Sequence, residues 1–316
     1  MEYHEQLLVR ISQMYYEQNL NQGEIAKILH TSRPTVSRLL EEAKQTGVVE
    51  IVVHDPIKKN AALSRKVRER FNLRDAIIIK GNYDYHSSLQ RCCEATVQLF
   101  GTIVDNNCTI GIAWGAVPEL LSNMLENEKY YNIHVVQMVG CLGTGNPTID
   151  GLELAISIAR KLNGTYSLVY SPVFVRSKEV AEYMLEEPQN KATLKRSLST
   201  DIFITGIGSL DANTTLQVAG FWNDEDREQF MSDGAVGHLL ARPYDINGKP
   251  VGIKRWYTVG AELPVLNNID WSIGVTASAG KALATLGAIN GKYINTLIAD
   301  EALALELLRL ADEQQD

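Results

Sequence analysis

Polar and basic residues cluster at the start of one predicted helix, in a pattern that could contact a nucleic acid. Ser32 offers an oxygen that can cap the helix, and Pro34 sits in the first turn, where its missing N–H group costs nothing. Arginine can pair bidentately with guanine, while Thr and Ser reach phosphate or a thymine methyl group. The face near the helix start carries Arg33, Thr35, Ser37 and Arg38. These side chains indicate contact with a duplex, with an ordinary structural hairpin as the alternative.

The elements around this helix fit a helix-turn-helix. Asn21 and Glu24 form a capping-box pattern that starts an earlier helix at Gln22. A tight connection follows, and the second helix has an apolar stripe that predicts one buried face. Gly47 ends it, and the β-branched run 48–53 could pair as a wing. Two short helices joined by a tight turn are typical of proteins that place the second helix in the major groove. The stripe consists of Val36, Leu39, Leu40 and Ala43.

The charge of this region argues partly against DNA contact. Residues 1–53 contain five basic and seven acidic residues, whereas domains that contact phosphates are normally basic. The following segment, 55–75, has seven basic and three acidic residues. This excess of basic residues either compensates for the acidic charge of residues 1–53 in DNA binding or is the solvated face of a linker helix. Oligomerisation would raise the DNA affinity of such a weakly charged domain, because two half-sites are then bound at once.

Length and composition restrict the class of protein. The chain has 316 residues, about two domains, and a formal net charge of −8, so it is not a polycation that coats nucleic acid. It has no apolar run long enough to span a membrane and no secretory signal pattern. The four cysteines form no CxxC pair, which favours buried free thiols in a reducing compartment. We therefore expect a cytoplasmic protein without a membrane partner.

Beyond residue 74, short apolar runs alternate with helix-like segments. This alternation predicts an α/β fold with a Rossmann-like, mostly parallel sheet covered on both faces. We expect two domains, a helix-turn-helix domain at 1–54 and a larger domain at 55–316 that begins with a linker helix from Ile57 to Asn72. The predicted strands are 76–79, 109–113, 133–138, 201–205, 271–276 and 294–298; the predicted helices are 87–103, 115–125, 150–162, 224–232, 280–289 and 300–312.

Glycines follow three of the predicted strands, in the segments 111–115, 140–145 and 206–208. In open parallel sheets, ligands bind outside the carboxyl ends of the strands, where glycine lets backbone N–H groups approach a phosphate or hydroxyl. None of the three segments has a phosphate-loop or dinucleotide-binding spacing. Close strand–helix packing explains any one of them, but three together favour a small polar ligand. Lys281 opens a helix after the strand 271–276 and could meet an anion there.

The chain resembles the SorC family of bacterial sugar-responsive transcriptional regulators over nearly its whole length. The resemblance rests on the segments 15–18, 22–26, 32–40, 43–53, 111–115, 140–145, 206–209, 233–238, 244–251 and 287–297. It implies a Rossmann-like effector domain related to sugar-phosphate isomerases and deaminases, a tetramer, and operator DNA as partner. It also implies an effector pocket with Arg242 and Lys281 as anion contacts. The candidate effector residues are Trp114, Gly115, Ala116, Gly140, Cys141, Asp233, His238, Arg242 and Lys281; the candidate DNA contacts are Gln22, Ser32, Arg33, Pro34, Thr35, Ser37 and Arg38.

This sequence departs from the family pattern at several pocket positions. Threonines that often follow the Trp-Gly pair are replaced by Ala116 and Val117, and Cys141 replaces the second glycine of a Gly-Gly pair. Val139 stands where some relatives have a lysine able to form a Schiff base, which argues against covalent capture. His238 stands where relatives commonly have Asp. A structural role and a ligand-binding role are equally good interpretations of this histidine. The effector's identity, and whether it is phosphorylated, therefore stay open.

We interpret the chain as a DNA-binding regulator of a carbohydrate-utilisation operon, controlled by a sugar, polyol or sugar phosphate. The alternative is a sugar-phosphate isomerase or deaminase with an appended DNA-binding domain. Such an enzyme needs a positioned base. Asp150, Glu153, Asp233 and His238 fall in suitable loops but show no catalytic spacing. The six histidines include no metal-binding pair, so we expect no catalytic residue, metal or cofactor.

Overall fold

The computed structural model describes residues 2–50, 57–126, 130–143, 150–210, 215–218, 220–252 and 255–313. The chain divides into two compact units, Met1–Pro56 and Ile57–Asp316. The predicted boundary at residues 54 and 55, with its His54-Asp55-Pro56 segment, lies outside the described residues.

The first unit is helical. Its elements are α1 (Glu2–Ser12), a π-helical turn (Gln13–Glu17), α2 (Gln22–Ile28) and α3 (Arg33–Gln45). Their apolar faces form one core, in which the stripe of α3 predicted from the sequence is buried. Leu8 and Ile11 of α1 complete that core, so the first helix supports the other two. Gly47 has φ +78°, a left-handed conformation that favours glycine and suits the end of a helix.

The second unit contains most of the chain. Its helices are α4 (Ala61–Phe71), α5 (Tyr85–Ile103), α6 (Ala116–Met124), α7 (Gly151–Lys161), α8 (Lys178–Glu186), α9 (Pro188–Ser197), α10 (Thr215–Val218), α11 (Asp224–Ser232), α12 (Ala282–Asn290) and α13 (Glu301–Glu313), with 3₁₀ turns at Leu263–Asn268 and Ala279–Lys281. Its strands are β1 (Asp75–Ile79), β2 (Thr109–Ile112), β3 (His134–Gln137), β4 (Thr165–Ser167), β5 (Phe174–Val175), β6 (Ile202–Gly206), β7 (Gly208–Ser209), β8 (Ala235–Leu239), β9 (Arg242–Asp245), β10 (Tyr257–Thr258), β11 (Trp271–Val275) and β12 (Thr296–Asp300).

Seven strands form one sheet in the order β1-β12-β11-β6-β2-β3-β4, and every neighbouring pair is parallel. Two apolar clusters cover its faces. The predicted α/β class with a mainly parallel sheet is confirmed. Connections run outward from β2 through β3 to β4 in one direction, and from β6 through β11 to β12 in the other. The order therefore reverses between β2 and β6, which makes that gap the topological switch point of the sheet.

The six predicted strands and six predicted helices are present, with bounds that differ by one or two residues at most ends. The sequence did not predict the short strand β4, the helices α8 and α9, or the small antiparallel sheet β7-β8-β9. Asn247-Gly248, a residue pair typical of tight turns between strands, follows β9. It closes a hairpin in which Tyr244 bridges Pro250 and Gly248 has φ +79°.

The predicted linker helix begins later than expected. Residues Lys58 and Asn60 hydrogen-bond with the end of β1, through Lys80 N–H to Lys58 O (2.7 Å) and Asn60 N–H to Ile78 O (2.7 Å). The Asn60 side chain then accepts a hydrogen bond from Leu63 N–H at 3.0 Å and caps α4. The helix starts at Ala61 rather than Ile57 because the preceding residues pair with the sheet edge.

All four cysteines are free, and three of them are buried. Burial raises the pKa of Cys93 to about 12, with a smaller contribution from Glu94. Burial likewise raises the pKa of Cys92. The expected buried free thiols are confirmed for Cys92, Cys93 and Cys108, while Cys141 is half-buried.

Candidate functional site

The start of α2 has the predicted capping box. The Asn21 side-chain oxygen accepts hydrogen bonds from Gly23 N–H (3.0 Å) and Glu24 N–H (3.1 Å), and the Glu24 carboxylate accepts one from Asn21 N–H (2.8 Å). Gln22 is the first residue of α2 and is half-buried. This cap fixes where α2 begins and therefore the position of the turn that leads to α3.

The start of α3 is capped by Ser32. Its hydroxyl accepts a hydrogen bond from Thr35 N–H at 3.3 Å and lies 2.8 Å from the Thr35 hydroxyl. Pro34 is in the first turn and exposed. The Ser32 cap satisfies one of the N–H groups at the start of α3. The N–H groups there that remain unpaired can bind an anion such as a phosphate.

The predicted DNA-contacting side chains remain on the surface. Arg33, Ser37 and Arg38 are exposed, and Thr35 is half-buried. Among the described residues, neither arginine has a carboxylate within ion-pair distance. The opposite face of α3 is buried in the core of the first unit. This arrangement leaves two uncompensated guanidinium groups at the N-terminal half of a helix, which is how recognition helices present side chains to base edges.

The predicted wing is only partly within the described residues. Val48–Glu50 form no strand, and Val49 N–H instead donates to Ala43 O at 2.9 Å. Residues 51–53 lie outside the described part of the chain. The expectation of a wing over 48–53 therefore fails for its first three residues, because their backbone folds back onto the end of α3.

In the second unit, the switch point of the sheet lies between two of the predicted glycine segments. Gly111–Gly115 end β2 and lead into α6, and Gly206–Gly208 end β6 and lead into β7. An added Cβ at Gly206 would lie 3.2 Å from the Val117 side chain, so the end of β6 approaches the first turn of α6. Parallel α/β sheets bind their ligands in the crevice at this location.

The N-terminus of α6 opens at this crevice. Gly115 occupies the cap position with φ +108°, which a residue with a Cβ rarely adopts, and it offers no capping side chain. The N–H groups of Ala116 and Val117 are therefore not satisfied by a side-chain cap, whereas Glu119 N–H reaches Gly115 O at 3.1 Å. Uncapped N–H groups at a helix start favour a ligand oxygen that carries negative charge.

His238 is buried beside the same crevice. It pairs with Gly208 across β7 and β8, and an added Cβ at Gly208 would lie 2.1 Å from its Nε2 atom. The ring meets Trp222 edge-on at 4.9 Å between centroids. Burial, with a smaller contribution from Lys281, lowers the pKa of His238 to about 3. The imidazole is therefore neutral at physiological pH, and its buried Nε2 atom has no hydrogen-bond partner among the described residues.

Lys281 brings a positive charge to this region. Its ammonium donates to Ile207 O at 3.1 Å, in the segment that follows β6, and lies 5.4 Å from the centre of the Tyr85 ring. It belongs to the 3₁₀ turn that precedes α12, as the sequence placed it at the carboxyl end of a strand. No carboxylate lies within ion-pair distance of this ammonium in the described part of the chain. One carbonyl satisfies only one of its three donors, so it can still bind an anion.

Residues that follow the two strands flanking β6 carry buried polar atoms without partners among the described residues. Trp114 follows β2 and Thr276 follows β11, the two strands that flank β6 in the sheet. Trp114 Nε1 and Thr276 Oγ1 are buried without partners among the described residues, as is Trp222 Nε1 beside His238. The Trp114 ring lies against the start of α7, where an added Cβ at Gly151 would be 3.5 Å from its Cδ1 atom.

In the third glycine segment, two backbone N–H groups that the sequence offered to a ligand already have hydrogen-bond acceptors. Gly140 N–H donates to Val259 O (2.9 Å), and Cys141 N–H donates to Ser171 O (2.8 Å). A Cβ at Gly140 would lie 2.6 Å from Pro172 O, so this glycine is explained by backbone packing. The two N–H groups are thus not available to a ligand without rearrangement. Residues Thr144 and Gly145 lie outside the described part of the chain.

Next to this segment, Asp150 and Gln137 hold the loop in place. The Asp150 carboxylate accepts a hydrogen bond from Gly143 N–H at 2.9 Å, while its other oxygen is buried without a partner among the described residues. Gln137 is fully buried, donates to Val139 O (2.8 Å) and accepts from Val169 N–H (3.2 Å). Burial raises the pKa of Cys141, with Asp150 adding to this effect and Gln137 opposing it. Cys141 is therefore a neutral thiol.

Arg242 has local partners of its own. The Arg242 guanidinium donates to Ala261 O (3.0 Å) and Gly260 O (3.2 Å) and pairs with Glu262 at 2.8 Å. It lines a separate cavity of about 280 Å³ with Trp256 and Tyr257 among its walls. Asp233 is exposed at the end of α11. The predicted pairing of Arg242 with Lys281 as joint anion contacts therefore lacks support, because the arginine is already neutralised by local partners.

The sequence analysis missed an aromatic cluster near His238. Phe174 lies 5.4 Å from Phe221, 6.3 Å from Trp222 and 6.2 Å from Trp256, as measured between ring centroids. The pair Phe221-Trp222 was a possible signal, because adjacent large aromatics next to a turn are unusual on a solvated surface. Nothing in the sequence linked them to Phe174, which is distant in the chain and reaches them through β5.

The described residues contain neither a candidate metal centre nor a helix that could span a membrane. Among the described residues, no group of three or more His, Cys, Asp or Glu side chains could hold a metal ion. Within the same residues, no helix combines the length and apolar character needed to cross a bilayer.

Similarity to known proteins shows the family of this chain. Residues 55–309 match the Sugar-bind family model, "Putative sugar-binding domain". The chain belongs to the Sugar-bind family. This match covers the seven-stranded sheet and every candidate effector residue.

Curated relatives of this Sugar-bind protein extend over both units. It is 26% identical to the sorbitol operon regulator of Klebsiella pneumoniae over 96% of this chain and 98% of that one. It is 29% identical to the uncharacterized transcriptional regulator YjhU of Escherichia coli, over 93% and 92% of the two chains. It is 25% identical to the deoxyribonucleoside regulator of Bacillus subtilis, over 96% and 97%. The resemblance to the SorC regulators is confirmed.

Solved structures confirm the fold. The crystal structure of the full-length sorbitol operon regulator SorC from Klebsiella pneumoniae matches with a TM-score of 0.74 and 24% identity, over 96% of this chain and 98% of that one. A probable sor operon regulator from Shigella flexneri matches with a TM-score of 0.73 over 79% of this chain and 99% of that chain, at 24% identity.

Proposed function

We propose that this protein is a DNA-binding transcriptional regulator of a carbohydrate-utilisation operon, controlled by a small polyhydroxylated effector. The effector binds in the crevice between the carboxyl ends of β2 and β6. The observation that carries the proposal is the uncapped start of α6 beside Gly206 at the switch point, with the Lys281 ammonium on Ile207 O of the same segment, in a chain that also exposes two arginines at the start of α3. The curated relatives are named as transcriptional or operon regulators.

The DNA contact is assigned to α3. Its Ser32 cap and first-turn proline leave the N-terminal half of the helix free to approach phosphates, while Arg33 and Arg38 reach toward base edges. Thr35, Ser37 and Gln22 are further candidates. The resulting partner is operator DNA, which places the protein in the cytoplasm.

The chemistry of the crevice defines the class of effector. Trp114 Nε1 can only donate a hydrogen bond, whereas the Thr276 hydroxyl and the neutral His238 ring can each complement a ligand hydroxyl group. Lys281 supplies one positive charge near His238. A sugar or polyol with one acidic substituent, such as a sugar phosphate, uses all four groups. When a neutral sugar binds, the Lys281 ammonium keeps its hydrogen bond to the Ile207 carbonyl oxygen.

Regulation requires that the effector bind one state of the protein more tightly than another. Binding then shifts the population of the state that fits the operator, by an amount equal to the difference in binding free energy. A homotetramer, as the resemblance implies, would present several α3 helices to the DNA at once and raise the weak affinity expected of an acidic DNA-reading unit. Light scattering on the purified chain measures this directly.

The proposal is tested by combining a ligand screen with DNA binding. Thermal shift with sugars, polyols and their phosphates identifies ligands that raise the melting temperature, because a ligand that binds the folded state stabilises it. DNA fragments selected by the protein from a random pool then serve as the duplex in titrations with and without each ligand. The proposal fails if the protein selects no sequence, or if no stabilising ligand changes the affinity for the selected duplex.

Replacement of Lys281 tests the effector chemistry. We expect Lys281→Gln to weaken a phosphorylated ligand at least 10-fold, since a charge-assisted contact is worth roughly 1.5–3 kcal/mol. The same change should alter binding of the matching unphosphorylated sugar much less. Lys249→Gln removes an exposed ammonium elsewhere and is the control. If Lys281→Gln weakens the binding of both ligands equally, Lys281 contributes to folding rather than to anion recognition.

The enzyme alternative gains no support from the side chains that could act as a base. Asp150 is committed to Gly143 N–H, Asp233 is exposed on a turn, and the pKa of His238 is lowered by burial to about 3. A general base works best with a pKa near the operating pH. We therefore propose a regulator without catalytic activity, and turnover of a sugar phosphate by the purified protein would revive the alternative.

A further inference from the structure

The first helix of the second unit, α4, carries an unusual excess of positive charge. From residue 57 to residue 74 the chain contains seven basic residues and one acidic residue, whereas residues 1–56 contain five basic and eight acidic ones. The whole chain has a net charge of −8, so this segment has the opposite sign to the rest of the protein. The DNA-reading unit itself is acidic, and affinity for DNA depends strongly on cations that contact phosphates.

The inner face of α4 is accounted for by packing. Val67 is fully buried, Leu63 and Phe71 are half-buried, and the Ser64 hydroxyl accepts a hydrogen bond from Ile78 N–H at 2.9 Å. Arg70 also belongs to this side, because it donates to Ala311 O at 2.7 Å. These contacts hold α4 against β1 and α13 in a fixed orientation.

The outer face is different, because three of its cations have no counter-charge. Arg65, Lys66 and Arg68 are exposed, and none has a carboxylate within 4.0 Å in the described part of the chain. Arg65 and Arg68 are three residues apart and therefore neighbours on the helix surface, where like charges repel. Exposed Glu69 is four residues from Arg65, so this helix surface has three basic residues and one acidic residue.

Two of these arginines also line a groove beside the sheet edge. The groove has a volume of about 270 Å³ and runs between α4 and β1, which is an edge strand. Its walls include Arg65, Arg68 and Lys59, with Asp75 as the one acidic residue among them. Lys59 donates to Gln98 Oε1 at 2.9 Å, whereas the guanidinium groups of the two arginines fit a phosphodiester group.

We propose that the outer face of α4, formed by Arg65, Lys66 and Arg68, binds backbone phosphates of the DNA that α3 reads. This inference rests on the proposed function, because it adds a second contact to the same duplex. The contact is independent of sequence: guanidinium and ammonium groups at this face pair with phosphate oxygens, and α3 supplies the sequence preference. Counter-ions released from the DNA make the contribution dependent on salt.

The experiment compares the salt dependence of DNA binding by the full-length chain and a charge-neutral variant. The probe is a duplex that the wild-type protein selects from a random pool, labelled for fluorescence anisotropy and titrated between 50 and 300 mM NaCl, about the range used for such slopes. Each lost phosphate contact lowers the slope of log K against log salt by about 0.9. We expect Arg65→Gln/Lys66→Gln/Arg68→Gln to lower the slope by about 2–3 per bound chain and to weaken binding at least 10-fold at the lowest salt.

Two further variants make the result specific. Lys178→Gln/Lys195→Gln/Lys249→Gln changes the net charge equally at exposed sites on other elements and should keep the wild-type slope. Arg65→Lys/Arg68→Lys retains the charge of α4 and should keep most of the slope as well. Because removal of like charges relieves repulsion in α4, the neutral variant should melt no lower than wild type.

The possible failures are distinguishable. If wild type selects and binds no duplex, the proposed function is wrong. If wild type binds but the α4 variant has an unchanged slope, the inference is wrong while the proposed function stands. If the α4 variant and the charge-matched control lose the same slope, the effect comes from net charge, and the assignment to α4 is overturned. Tighter binding by the α4 variant would mean that these cations serve a contact within the protein.

Discussion

The buried imidazole of His238 makes the stability of the second unit depend on pH in a predictable way. Its pKa is about 3 in the folded protein, against an ordinary value of 6.5, and burial is the main cause. Between these values the unfolded chain binds a proton that the folded chain does not. The free energy of unfolding is therefore highest above pH 6.5 and falls as the pH is lowered toward 3.

The magnitude follows from the two pKa values. The loss is about 1.4 kcal/mol per pH unit within the window, which amounts to about 2 kcal/mol between neutral pH and pH 5. His134 has its pKa lowered by burial and by Arg196, so it adds a change of the same sign. The comparison of wild type with His238→Gln removes that shared contribution and isolates His238.

Urea denaturation at constant ionic strength measures the effect. All four tryptophans lie in the second unit, so their fluorescence follows the unfolding of that unit without a tryptophan signal from the first. Wild type should lose about 2 kcal/mol more than His238→Gln between pH 7 and pH 5, whatever the stability of the variant at pH 7. Parallel pH profiles for the two proteins would refute the account, because they would mean that His238 titrates normally in the fold.

Two further substitutions test the local structure of the two sites. Ser32→Ala removes the hydroxyl that accepts from Thr35 N–H and should cost the first unit about 1 kcal/mol, measured by circular dichroism, whereas Ser37→Ala on the exposed face should cost much less; equal effects would contradict the cap. Gly208→Ala places a Cβ 2.1 Å from His238 Nε2 and should lower the melting temperature of the second unit and abolish the ligand-induced shift. Gly252→Ala, where nothing lies within 4 Å, is its control, and a fully stable Gly208→Ala protein would show that the ring can move freely.

The local elements could be predicted from the sequence because their causes are local. The cap at Asn21, the cap at Ser32 and the left-handed Gly47 depend on residues a few positions apart, so their spacing was sufficient. The six long strands of the parallel sheet are continuous apolar runs, which is how strands covered on both faces appear in a sequence. The glycines that follow these strands placed loops at their carboxyl ends, and the resemblance to a known family then implied an effector pocket there.

The composition of the effector site was decided only by the tertiary structure. Whether a charged side chain is free depends on neighbours that are distant in the chain: Arg242 is neutralised by Glu262 and two carbonyl groups, whereas Lys281 reaches a single carbonyl of the 206–208 segment. His238 loses its proton because the packing of Trp222 and Gly208 removes water from it. Spacing in the sequence carries no information about such burial, and the depressed pKa and the unpartnered buried atoms exist only once the strands are assembled.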